Sequence, residues 1–120
     1  MQPICETFAA GADLSTKQYH FVLIATDGQV DPSGDGALAN GVLQNNPDAA
    51  GKAATVAIAG LTKVKAGAAF EEGVVLGSDS SGKAVTATSG EYILAIAKEQ
   101  AATDGDVVLA QLIIGGAKVA

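Results

Sequence analysis

From Asn40 to Asp106 and just beyond, the chain is a succession of short apolar runs cut by glycines. In order they read GVLQNNPDAAG, ATVAIAG, TKVKAGAAFEEG, VVLGSDSSGKAV, YILAIAKE and ATDGDVVLAQL. Apolar runs this short, rich in Val and Ile and bounded by Gly, Asp, Asn and Ser, read as strands joined by tight turns. Helices of three turns have no room between such breaks. The pattern restricts the chain to an all-β domain, a small β-barrel or β-sandwich of about seven or eight short strands.

The alternation predicts where the strands lie. Tyr19–Thr26 is aromatic and β-branched and ends at Asp27-Gly28, a strand with a turn behind it. Asp31–Asn40 is turn chemistry throughout, with Pro32, Gly34 and Gly36. Val42 and Leu43 make a brief apolar entry before the Asn45-Asn46-Pro47 turn. Ala53–Ala59 and Leu61–Lys65 alternate as two strands with Gly60 between them. Val74–Leu76, Lys83–Thr88 and Tyr92–Ala97 follow, and Val107–Ile114 is a long final strand. Tyr92, Leu94 and Ile96 are expected on one face. Lys98–Thr103 allows at most one helical turn, and Gly115–Ala120 reads as a loose tail. Residues 1–16 have no clear period and form an extended N-terminal arm, loosely ordered unless something holds it down. Residues 17–120 form a single β-rich domain.

A chain of 120 residues is one domain. At this size roughly 65% of the unfolded surface is buried on folding. The core materials are small: 48% of the chain is apolar, yet there is no Trp and only 4% is aromatic. A core of Ala, Val, Leu and Ile is thin, which favours association with further subunits. The 13 Asp and Glu outnumber 7 Lys, with no Arg, for a net charge of −6. That balance argues against nucleic acid and anionic lipid, which need clustered cations. The single Cys5 excludes an intrachain disulfide. The N-terminus has neither the basic nor the apolar segment of a signal peptide, and no run of 18 apolar residues suggests a membrane span.

Residues that carry chemistry are scarce. His20 is the only histidine and sits in the first predicted strand with no evident catalytic partner, so a structural or surface histidine is expected. Cys5 has no neighbouring base. Asp27-Gly28, Asp79–Gly82 and Asp104-Gly105-Asp106 lack the alternating ligand spacing and closing Glu of a calcium loop and read as turns in which Asp bonds its own backbone. Gly34-Asp35-Gly36 and Gly115-Gly116 lack the strand–loop–helix context of a phosphate cradle. No catalytic residue, cofactor or metal site is therefore assigned. Val64–Gly67 followed by Phe70–Leu76 resembles the rhythm of lipoyl and biotinyl carrier domains. The nearest hairpin lysine, Lys83, lacks their flanking residues. A barrel-sandwich carrier or binding module, with Lys83 or Lys65 as the modified group, is the alternative reading, and a small hydrolase using Asp and Ser ranks third.

Over residues 9 to 114 the wording resembles the capsid decoration, or cement, proteins of tailed bacteriophages. The resemblance rests on Ala10–Ser15, Tyr19, Val22, Asp27-Gly28, Gly41–Asn45, Pro47 and Gly51–Val56. It continues through Val64, Ala66-Gly67, Gly73, Ser78-Asp79, Gly82–Val85, Tyr92 and Ala95–Ala97. It implies a structural virion protein, not an enzyme. Such a protein sits on the outer surface of the capsid as a homotrimer and bridges subunits of the major capsid protein to stabilise the head. No motif fixes which residues face the shell. The arm is the candidate contact, through Pro3, Ile4, Glu6, Thr7 and Phe8, as a strap that adds a strand to a neighbour's sheet edge. Plain terminal disorder is the other reading of that segment.

Overall fold

The computed structural model describes residues 3–120. Among them are nine strands and no helix: β1 (Ile4–Ala10), β2 (Phe21–Ile24), β3 (Gln29–Pro32), β4 (Gly41–Leu43), β5 (Ala53–Lys65), β6 (Val75–Ser78), β7 (Ala84–Thr86), β8 (Ala95–Ala97) and β9 (Val107–Leu112). The all-β class is as expected.

The pairings make two rings that share one strand. β1 pairs in parallel with β3, β3 with β2, β2 with β4, β4 with β5, and β5 returns to β1, the last four antiparallel. The second half of β5 continues into an antiparallel sheet, β5-β9-β8-β6-β7. That sheet also bends back on itself: Ala84 of β7 bridges Ala66, just past β5, and Gly67 N–H donates to Ala84 O at 2.7 Å.

Each side-chain parity serves a different core. Ala10, Val22, Val30, Leu43, Ala54 and Val56 come from all five strands of the first ring and fill its interior, with Leu14 packed among them. Their neighbours Phe21, Val42 and Ala57 point the other way. They join Val64, Leu76, Leu94, Ala95, Ala110 and Leu112 in the second, larger core. Strands buried on both faces read as near-continuous apolar runs, which is why GVL and ATVAIA show little polar alternation. Because adjacent side chains are small, backbones pack closely. A Cβ at Gly41 would collide with the Ala57 carbonyl and press within 2.6 Å of Val56 Cγ1.

Several expectations are corrected. The two predicted strands around Gly60 are one 13-residue strand, because Gly60 pairs with Leu112 and does not break the ladder. β3 runs through a segment read partly as turn, and it contains Pro32. Gln29 O accepts from Ala25 N and Ser33 N donates to Phe21 O, so odd residues of β3 face β2. The missing N–H of Pro32 falls on the other edge, past the end of β1, and costs no ladder bond. At Lys98–Thr103 there is no helical turn. Ala101 instead exchanges two backbone bonds with Phe70, at 3.0 and 3.1 Å. The predicted face of Tyr92, Leu94 and Ile96 is not shared: Leu94 is buried, but Ala95 and Ala97 are buried with it, while Tyr92 and Ile96 are half-buried. The C-terminal tail is held. Val119 bonds Gly90 and Glu91, Ala117 O accepts from Ile93 N, and Lys118 Nζ lies 4.6 Å from the Tyr92 ring centroid.

The leading segment is extended and is also held down. Residues 4–10 lie along β5 as β1, and Leu14 N donates to Pro47 O. Met1 and Gln2 of the predicted arm lie outside the described residues.

Candidate docking surface

β1 is longer than the strand beside it. It pairs with β5 from Ile4 to Ala9, but β3 reaches only Ala9 and Ala10. Among the described residues, Ile4–Phe8 therefore overhang β3 and are paired along one edge only. Ala10 exchanges bonds with Lys52 O and Gly51 N, so even-numbered residues of β1 turn their backbone to β5. Gly11 N donates to Val30 O, so odd-numbered residues turn the other way. By that alternation Thr7 and Cys5 aim their N–H and C=O groups at the open edge. A row of free donors and acceptors is a template for a further strand.

The side chains along this overhang are mostly exposed. Ile4 is 62% exposed, and Glu6 and Thr7 are exposed beside it. Pro3 and Phe8 are half-buried, and Phe8 packs against the core of the first ring. Ile4 lies opposite Ala59 and Leu112 lies opposite Gly60, so the start of β1 and the end of β9 are seated on consecutive residues of β5. Ile113, 37% exposed, follows directly. The five residues singled out in the sequence thus fall together on one edge. Cys5 and Ile113 were missed as members of this surface. The apolar run of β9 continuing past Leu112 was the available signal for Ile113.

The remaining chemistry-bearing residues are engaged in structure. His20 is 3% exposed; its Nδ1 is 2.8 Å from Ser81 O, and a carbonyl can only accept, so Nδ1 carries the proton. Burial lowers the His20 pKa below the ordinary value, and Lys17, Lys65 and Lys83 lower it further against the opposing bond to Ser81. The aspartate turns behave as read: Asp79 Oδ1 accepts from Ser81 N and Lys83 N, Asp106 Oδ2 from Ala102 N, and Asp27 Oδ1 from Gln29 N. Among the described residues no three His, Cys, Asp or Glu side chains gather as metal ligands. Lys83 Nζ is tied to Asp104 at 2.8 Å, unlike a free swinging arm.

A family model described as phage cement protein matches residues 6–112. The chain belongs to the phage cement protein family. No curated protein matches the chain. Among solved structures, this cement protein is similar to the N base of head fiber gp8.5 in bacteriophage phi29. The TM-score is 0.77 at 17% identity, covering 96% of this chain and 99% of that one. At that identity the likeness is one of fold. Family membership marks the cement chain as a structural protein associated with the phage head.

Proposed function

We propose that the chain decorates the outer surface of a phage head and stabilises it by bridging neighbouring subunits of the major capsid protein. Family membership carries this reading. The contact we assign is the overhanging half of β1, through Pro3, Ile4, Glu6, Thr7 and Phe8, with Ile113 beside it. Its one-sided pairing supports the assignment, because an extended capsid segment laid along Thr7 and Cys5 completes the ladder. The functional unit is a homotrimer. Three tethered copies of a weak strand contact give durable attachment, since each further contact forms at high effective concentration. The acidic balance, −6 with no Arg, suits a position outside the shell, away from packaged DNA and from membranes.

The test is to add purified protein to heads that lack it. Co-sedimentation and greater resistance of the heads to heat are expected; heads that neither bind nor gain stability overturn the proposal.

A further inference from the structure

Beside the apolar core that Phe21, Val42 and Ala57 share with the second ring, the seam between the two rings has a polar side. Phe21 N donates to Gly82 O at 2.7 Å and Gly36 N to Ser78 O at 2.9 Å. Tyr92 N donates to Gly36 O, and Ser78 Oγ reaches Ser33 O at 3.4 Å. Among the described residues four polar side chains are buried, and three of them, His20, Ser33 and Ser78, lie in this seam. His20 spans it: its backbone leads into β2 of the first ring, and its imidazole bonds the β6–β7 turn of the second. The fit there is tight. Gly82 adopts φ +90°, and a Cβ on it would stand 2.6 Å from Phe21 O and 3.3 Å from His20 Cβ.

Three lysines act against a charge on the imidazole. Lys17 comes from the turn before β2, Lys65 from the end of β5, and Lys83 from the start of β7. The nearby carboxylates are committed elsewhere. Asp79 Oδ1 holds Ser81 N, Ser81 Oγ and Lys83 N, its Oδ2 lies over Gly67, and Asp104 pairs with Lys83. An imidazolium formed here is buried, with the neighbouring carboxylates already engaged, and the lysines oppose its charge. That state is costly in place and is relieved when the seam opens to water.

We infer that His20 is an acid-sensitive latch: neutral, it closes the polar side of the seam between the rings, and protonated, it opens that side while the shared apolar core and each ring's ladders hold. Burial and the lysines favour the neutral ring in the closed state, so opening takes up a proton. Closure is at full strength above pH about 6.5, the ordinary histidine value, and weakens as pH falls below it. One proton per opening allows up to about a tenfold rise in the opening constant per pH unit.

Because the chain has a single histidine, two measurements are clean. The first follows the imidazole resonances of the intact protein by NMR. A midpoint below 6.5 is expected; a midpoint at or above 6.5 overturns the latch. The second compares amide exchange at pH 7.0 and 5.5, corrected for intrinsic rates. Phe21 and Gly36, whose N–H groups bond across the seam, are expected to lose up to about tenfold in protection, since only the unit below pH about 6.5 contributes at about tenfold per unit. Gln44, whose N–H bonds Thr55 O within the first ring, is expected to hold. Unchanged seam protection, or an equal loss at Gln44, overturns the proposal. His20→Asn retains a donor but does not titrate, and removes the pH response. A variant that keeps it refutes the latch, and if that variant does not fold, the ring titration and the wild-type exchange decide alone.

Discussion

At the scale of single residues, this fold depends on positions where there is no space. Gly41, in β4, is opposite Val22 of β2, and any Cβ there meets the Ala57 carbonyl. Backbone in a paired strand cannot step aside without breaking the ladder. Gly41→Ala is expected to cost about 3 kcal/mol, the upper range of overpacking, read as a lowered urea midpoint at unchanged slope. Deleting core volume is comparable in effect. Leu43 fills the first ring among alanines and valines that cannot close over a hole, so Leu43→Ala should cost about 3–4 kcal/mol by the same measurement. Tyr19 shows a different constraint. It adopts φ +68°, a region that non-glycine residues enter rarely, and it is held there from both sides. Its N–H donates to Leu43 O at 2.7 Å and its C=O accepts from Lys65 N at 2.9 Å.

At the scale of elements, β1 separates what closes the fold from what is offered to a partner. Proline distinguishes the two edges. Thr7→Pro removes an N–H from the open edge and spares the bonds to β5, so the fold should lose only about 1 kcal/mol, while binding to heads falls. Phe8→Pro removes an N–H that faces β5 and strips an aromatic contact from the core. It should destabilise by about 3 kcal/mol or more. Denaturation of both variants with head co-sedimentation of Thr7→Pro makes the comparison. The same element shows what was legible in the sequence. The alternation of Thr62 and Val64 against Leu61 and Lys63 marked that half of β5, and the core shares its parity. In ICETFAA apolar and polar residues alternate without a consistent face, because only Phe8 and Ala10 point into the ring while Ile4 and Cys5 stand in solvent. The pairing that makes it a strand joins Glu6 to Val56, fifty positions away, and no local pattern encodes that. The candidate contact residues were read only as part of an aperiodic leading arm, with no motif to mark them. Their grouping on an open edge was not legible, since it follows from β3 being shorter than β1. His20 was read as a structural or surface histidine and is buried; the three lysines that act on it are scattered from position 17 to 83, and no local pattern links them.

At the scale of the whole molecule, β1 is a ring member, and the fold depends on it. Removing residues 1–10 takes Ala10 out of the core and leaves the outer edges of β5 and β3 unpaired. The expected outcome is loss of cooperative unfolding with binding of an apolar-surface dye, rather than a trimmed protein with weaker attachment. Closing each ring also requires contacts between distant parts of the chain. Refolding is therefore expected in the slow range for small domains, milliseconds to seconds, measured by stopped-flow.

β5 belongs to both rings over its 13 residues, and that makes it a mechanical tie. A pull on β1 along its length loads the Ile4–Ala9 ladder in shear, with all bonds sharing the force, and passes through Gly60 to the β9 ladder beyond. A pull across β1 opens the same bonds one after another. The molecule should thus withstand sliding between neighbours on a surface far better than peeling away from it, an anisotropy set by one continuous strand.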